Sequence, residues 1–287
     1  LCKRQYTARD LLTDCYGRLY EIPEALALRG HQVSGLTTSY RYRTQNTHVS
    51  PAGVHWQSVN LGPFGPWEWH KKLQQLRRQP PDVIWASSDA LHCIAAIRLG
   101  HLLDIPVVLD LYDNYDHFGL NAIPGIRRRY HRACRLASAL TIVSHKLAEH
   151  VRSTIAPETP FQIIGNGVNT DLFKPLNKQK CRQQLGLPPR ARIIGTAGAI
   201  HTNRGIDDMF GAFLHLAKHD SALHLVIAGP QDNTPSRFPH PRIINLGMLD
   251  WRQVPVLINS LDIAVVCNRD DSFGRYCSPL KLQEALA

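Results

Sequence analysis

Gly195-Thr-Ala-Gly-Ala-Ile-His-Thr-Asn-Arg-Gly-Ile-Asp207 is the stretch whose reading decides the fold. It reads as a buried strand, a glycine-punctuated loop, a basic residue beside a glycine, and the start of a helix. The amphipathic run Ile206–His219 continues it, with Ile206, Met209, Phe210, Phe213, Leu214 and Ala217 at helical spacing. Such a turn aims backbone N–H groups and the Arg204 cation at whatever lies above the carboxyl end of the strand. A phosphate or diphosphate suits that place.

The same alternation runs outward in both directions. Strands are expected at Gln32–Thr37, Val83–Ala86, Val107–Leu111, Leu140–Val143 and Gln162–Ile164, then at Ile193–Ala197, His224–Ala228, Arg242–Leu246 and Ile263–Cys267. Helical periodicity falls between them, at Gly17–Arg29, Asp89–Leu103, Gly125–Ala137, Lys146–Ser153, Ile206–His219 and Trp251–Ser260. Strands alternating with helices mean βαβ units and parallel sheets covered on both faces. The Pro- and Lys-richer stretch Asn169–Arg190 separates two such series, so two Rossmann-like domains are expected, over residues 1–172 and 173–287. Ligands in such sheets sit at the carboxyl ends of the strands, which places the expected site in a cleft between the domains. Leu1 begins inside a strand and Ala287 stops inside a helix that Pro279 opens. The sequence therefore reads as a fragment cut at both ends, with an incomplete second domain.

Bulk properties narrow the partners. The 287 residues are 44% hydrophobic and 20% charged, as in a globular protein, and no apolar run reaches the length of a membrane span. Lys3 and Arg4 are not followed by the apolar core of a signal peptide, and the seven scattered cysteines contain no Cys-x-x-Cys. Both point to a reducing, cytoplasmic setting without a disulfide framework. The formal charge of +10 favours phosphates, nucleotides or anionic lipid. Basic residues concentrate in Arg127–Arg135 and in Trp67–Arg78, where aromatics accompany them. A solvated helix face explains such runs, and so does peripheral contact with the inner face of an anionic membrane. No nucleic-acid module accompanies the charge.

Several stretches together resemble glycosyltransferase family 4, whose members have the GT-B fold. Ile163-Ile-Gly-Asn-Gly-Val-Asn-Thr-Asp-Leu-Phe-Lys-Pro175 is similar to the family's interdomain signature. Gly198–Asp207 and Leu225-Val-Ile-Ala-Gly-Pro230 look like its donor loop and following strand, and Asn245–Leu249, Val254–Ile258 and Leu261–Val266 continue the match. Ser278-Pro-Leu-Lys-Leu-Gln-Glu-Ala-Leu-Ala287 is similar to its nucleotide-binding helix start, and Gly17 with Ile22–Val33 to its first helix and second strand. The match is weakest between Thr38 and Pro80.

This resemblance implies transfer of a sugar from a nucleotide-diphosphate-sugar to an acceptor hydroxyl, with retention at the anomeric carbon. It implies no cofactor beyond that co-substrate and no metal, and the chain contains no Asp-x-Asp. Two facing Rossmann-like domains are the implied architecture. Departure of the nucleoside diphosphate builds charge on the β-phosphate, which needs fixed positive partners. Arg204 stands where the family usually has a lysine, and its guanidinium grips phosphate oxygens in pairs. The family's other cation is replaced by Ala199, which puts more weight on Arg204 or Lys281. Glu284 matches the glutamate that accepts from the ribose diol. Its usual partner eight residues earlier is Tyr276 here.

The remaining donor-side positions implied are Gly17, Gly198, Asn203, Gly247, Met248 and Ser278. Gly17 reads equally as a plain helix-start glycine. In Asp110-Leu-Tyr-Asp-Asn-Tyr-Asp-His117, Asp113 and His117 are candidates for positioning the acceptor, and a buried aspartate fixing the loop is the alternative. His215 and His219, four apart on a helix, read as a polar face for want of a third ligand. The acceptor expected is a lipid-linked or glycan hydroxyl, against the variable first domain. The rival reading is a degenerate domain that binds a nucleotide-sugar or a protein without catalysis. Ala199 and Tyr276 are the departures it would show, whereas Arg204, Lys281 and Glu284 favour catalysis.

Overall fold

A computed structural model describes residues 1–6, 9–41, 44, 46–61, 65–117, 123–272 and 274–287. Contacts divide the chain into an N-terminal unit, Leu1–Gly165 with Tyr276–Ser278, and a C-terminal unit, Asn166–Arg275 with Pro279–Ala287.

The N-terminal unit opens with β1 (Cys2–Lys3), a short antiparallel pair β2 (Gln5–Tyr6) and β3 (Arg9–Asp10), and the single turn α1 (Leu11–Asp14). There follow α2 (Arg18–Leu28), β4 (Ser34–Ser39), β5 (Thr47–Val49), β6 (His55–Asn60) and α3 (Gly65–Arg78). Its second half is β7 (Ile84–Ser87), α4 (Ala90–Leu103), β8 (Val107–Leu111), α5 (Ile126–Leu136), β9 (Ala139–Ile142), α6 (His145–His150) and β10 (Phe161–Ile163). One sheet runs β1-β4-β6-β5 and the other β10-β9-β8-β7. Leu1 joins them, because its N donates to Trp85 O (2.7 Å) and its carbonyl accepts from Ser87 N (2.9 Å). The strand order reverses there, between β1 and β7, which makes their carboxyl ends a topological switch point.

Local chemistry sets the helix starts. Asp89 caps α4 by accepting from Leu91 N and His92 N, and Ser144 caps α6 by accepting from Leu147 N. The largest apolar cluster packs β7, β8 and β9 against α4, α5 and α6, with Leu109, Leu111, Ile142 and Cys134 fully buried. Burial on that scale, at about 25 cal/mol per Å² of apolar surface, supplies the main drive to fold.

The C-terminal unit contains α7 (Lys178–Gln184), β11 (Arg192–Ala197), α8 (Ile206–Leu216), β12 (Leu223–Ala228), β13 (Ile243–Asn245), α9 (Val254–Ser260), β14 (Ile263–Ala264) and α10 (Leu280–Leu286). Its parallel sheet runs β13-β12-β11-β14 and reverses between β11 and β14. Gly195 is required inside β11, since a Cβ there would come within 2.3 Å of Val226 O and 2.9 Å of Leu261 Cδ2.

Two expectations are corrected by this architecture. The second unit is not left without a formed sheet and core, for it has four paired strands and its own apolar clusters on both faces, one around Phe210 and Phe213 and one around Leu257 and Leu261. Nor are the end elements left open, as the reading of a fragment cut at both ends supposed. Leu1 is held by β7 on both sides, and Ala287 N closes the last turn of α10 on Gln283 O (3.1 Å). A strand end needs only ladder partners, so the pairing of Leu1 requires no sequence signal to mark it.

Candidate functional site

In the C-terminal unit the loops leaving three strands are tied together at the carboxyl edge of the sheet. Gly198 N donates to Ala228 O (2.8 Å), Ile200 N to Pro230 O (2.8 Å) and Gly229 N to Gly247 O (2.8 Å). Gly198 has φ +125° and Gly229 φ +132°, conformations that L side chains rarely adopt. A Cβ on Gly229 would also lie 2.2 Å from Gly198 O, so the two glycines let the loops touch backbone to backbone. Above Gly198 stands Lys281 of α10, with Cε and Nζ each 3.2 Å from where a Cβ would project. Lys281 joins Thr196, Ala197 and Val265 in lining a narrow recess beside the ends of β11 and β14.

Arg204 and Asn203 sit in the single 3-10 turn Thr202–Arg204, Arg204 half-buried and Asn203 exposed. Arg204 N donates to His201 O (2.9 Å), and Gly205 (φ +71°) leads into α8 without a side-chain cap. Asp232 fixes that turn, with Oδ2 accepting from Thr202 N (3.1 Å) and Oδ1 from Thr234 N (2.8 Å). Hydrogen bonds from Thr234 and from the Thr202 amide hold its carboxyl down at about 2. Asp207, in the first turn of α8, receives Arg237 Nη2 (2.7 Å) and Arg269 Nη2 (3.3 Å), so these two cations are engaged beside the loop. Arg237 Nη2 also donates to Thr202 Oγ1 (2.8 Å). Glu284 is buried on α10, three residues from Lys281 and on the same side of the helix. Met248 is exposed beside Gly247 (φ +66°), whose N donates to Asn245 Oδ1 (2.9 Å).

The N-terminal unit places Gly17 (φ +87°) at the start of α2, again without a side-chain cap. The next residue carries a network that sequence reasoning missed. Arg18 grips Asp110 through Nη2 (2.7 Å) and Nε (3.0 Å), while its Nη1 donates to Ile164 O (2.7 Å) and Gly165 O (2.9 Å). Asp110 also accepts from Ser87 Oγ (2.8 Å) and Thr141 Oγ1 (2.6 Å). Asp110 thus ties the ends of β7, β8 and β9 to the helix that Gly17 opens.

Asp113 is half-buried beside Tyr112, whose phenol is pushed up by burial and by the facing carboxylates of Asp113 and Asp89. His117 closes the short turn Tyr115–His117, and its side chain lies outside the described residues. Ser278 belongs with Tyr276 to the N-terminal unit, apart from Lys281 and Glu284 in the division of the chain. Tyr276 stacks on His150 at 4.7 Å between centroids, and its carbonyl accepts from Ser144 Oγ (3.1 Å). His215 and His219 pack edge to face at 5.9 Å, and no group of three metal-ligating side chains gathers among the described residues. Nor is any helix among them long and apolar enough to cross a membrane.

Residues 18–172 match the profile of Glycosyltransferase Family 4. The chain belongs to this family. A relative in Bacillus subtilis strain 168, described as a putative teichuronic acid biosynthesis glycosyltransferase (TuaC), is 26% identical over 220 residues, which are 75% of this chain and 53% of the relative. The chain thus spans about half the length of that curated protein. Among solved structures it is similar to sucrose-phosphate synthase of Thermosynechococcus elongatus, with TM-score 0.72 and 16% identity over 86% of this chain and 68% of that one. It is similar as well to HepE of Anabaena in complex with UDP and glucose, with TM-score 0.68 and 18% identity over 96% and 75% of the two chains. These likenesses establish a GT-B-like fold for a family 4 chain.

Proposed function

We propose that this family 4 chain is a glycosyltransferase that moves a sugar from a nucleotide-diphosphate-sugar to an acceptor hydroxyl, with retention at the anomeric carbon and without a metal. The observation that carries this reading is the placement of Lys281 against the left-handed Gly198, at the switch point between β11 and β14. A missing Cβ and a nearby ammonium leave an anion room to approach backbone N–H groups with a cation at hand. Arg204 lies in the next turn and is held there by Asp232.

In this reading Arg204 and Lys281 take up the charge that grows on the departing diphosphate, where fixed donors contribute most. Asn203 and the turn around it bracket the phosphates, and the loop Gly247–Met248 borders the base. Glu284 accepts from the ribose hydroxyls. Gly17, at the open N-terminus of the eleven-residue α2, frees backbone N–H groups for the diphosphate, and Ser278 adds a hydroxyl. Asp113 and His117 position the acceptor, a glycan or lipid-linked hydroxyl compound. The work is intracellular.

Incubating the chain with UDP-, GDP- and ADP-sugars and a panel of acceptors, and reading the product's anomeric proton, tests the proposal. A product with the donor's configuration supports it, and an inverted product contradicts the retaining mechanism. The pairing of Tyr276 with His150 favours one second reading, a non-catalytic domain, because the position that is acidic in the resembling family is engaged elsewhere. Nucleotide-sugar binding without turnover on any acceptor of the panel would favour that reading.

A further inference from the structure

We infer that the exposed face of α4 and α5 docks the N-terminal unit on an anionic membrane surface. The two helices pack side by side, and neither contains an aspartate or glutamate. On α5, Tyr130, Ala133 and Cys134 point into the core, so the arginines are turned outward. Arg128, Arg132 and Leu136 follow one another four residues apart along a single stripe, with Arg129 beside it. All four are exposed, and α4 adds exposed Arg98.

Among the described residues no acid pairs with these exposed arginines, and the exposed Asp104 at the end of α4 forms no ion pair with them. Asp116, which meets α5, is buried and pairs with His131 Nε2 (2.7 Å), with Arg127 at 3.6 Å. Arg135 is also engaged, since its Nε donates to Ile155 O (2.8 Å). Arg128, Arg129 and Arg132 form no ion pair among the described residues. Phosphate headgroups are the acidic partner that fits a broad, unpaired guanidinium surface.

Aliphatic side chains separate a bilayer from other polyanions. Leu136 is 47% exposed, Ile123 just before α5 is 49% exposed, and Leu102 near the end of α4 is 50% exposed. An interfacial surface takes arginines at the headgroups and leucines below them, whereas nucleic acid uses the arginines and leaves the aliphatics in water. The other basic helix, α3, does not share this design. There Lys71 Nζ lies 3.4 Å from the centroid of the exposed Trp67 ring, so cation and aromatic satisfy each other.

Co-sedimentation of the full chain with vesicles tests the proposal without donor or turnover, so its failure is separate from failure of the transferase reading. The chain is expected to bind vesicles of phosphatidylcholine and phosphatidylglycerol in equal parts, to release as salt rises, and to ignore phosphatidylcholine alone. The triple variant R128Q/R129Q/R132Q, at exposed positions, is expected to lose on the order of a hundredfold in affinity with an unchanged melting curve. Leu136→Ser tests the aliphatic part and should weaken binding at both low and high salt. Wild-type binding by the triple variant, or equal binding to neutral vesicles, overturns the proposal. So does a short single-stranded RNA that binds through the same arginines as tightly as the vesicles do.

Discussion

Arg18 and Asp110 form a buried ion pair, with Nη2 2.7 Å from Oδ1 and side chains 7% and 0% exposed. The pair joins the start of α2 to the end of β8, and the Ser87 and Thr141 hydroxyls complete the carboxylate's partners. Removing the cation leaves a buried charge without its counter-ion, which costs far more than an exposed bridge would. Arg18→Ala is therefore expected to lose about 3–5 kcal/mol in urea unfolding. The double variant Arg18→Met, Asp110→Leu should lose less than Arg18→Ala alone, and a larger loss would show that the charge itself is not what matters.

The two left-handed glycines at the candidate site differ in what surrounds them. A Cβ at Gly198 meets only the flexible end of Lys281, whereas one at Gly229 runs into the Gly198 carbonyl at 2.2 Å. Both alanine variants bear a conformational cost of about 1–3 kcal/mol, and Gly229→Ala adds a backbone displacement. Thermal melts should rank Gly229→Ala as the less stable of the two. The reverse order would mean that the β11 and β12 loops do not touch as described.

Asp232 links the Arg204 turn to pH. Its carboxyl is held at about 2 by hydrogen bonds from Thr234 and the Thr202 amide. The unfolded value is about 4, so the folded state favours the charged form. That contribution is present above the unfolded value and is lost as pH falls through about 2. Asp232→Asn should thus melt lower than the parent chain at pH near neutral, with the gap closing as the solution becomes strongly acidic. A gap that stays constant would show that the charge of Asp232 does not hold the turn.

The cysteines report on burial. Burial pushes the Cys2 thiol up to about 11 and that of Cys134 to about 12, and Cys93 rises well above its usual value. A thiolate-selective disulfide reagent at neutral pH should leave these three unlabelled in the native chain and label them in denaturant, as peptide mapping can read. Rapid native labelling of Cys134 would contradict the packing of α5.

The alternation of apolar strands and amphipathic helices was enough to read the parallel sheets. Val107–Leu111 was expected as a strand from its apolar run and is β8. The strand β6 was missed because its buried positions include Ser58 and Asn60, whose polarity erases the apolar signal. The expectation of open end elements at Leu1 and Ala287 failed because a one-residue ladder contact carries no sequence mark. Arg18 and Asp232 were overlooked for a related reason. Each acts through partners distant in sequence, Asp110 and Ile164 for Arg18 and Thr202 for Asp232, and only the folded chain brings those together. Gly198 was legible as a backbone position because conformational need is a property of a single residue in a local pattern, and the structure gives it a positive φ with Lys281 beside it.

Calorimetric titration of UDP, GDP and ADP, each beside its nucleoside, tests the central claim most directly. The account predicts that one diphosphate binds more tightly than its nucleoside, and that Arg204→Ala removes this advantage while leaving nucleoside binding intact. Glu284→Ala should weaken both. A folded chain that binds none of the three, or an Arg204→Ala variant that loses nucleoside and diphosphate equally, would contradict the assignment of the Gly198–Arg204 loop as a diphosphate site.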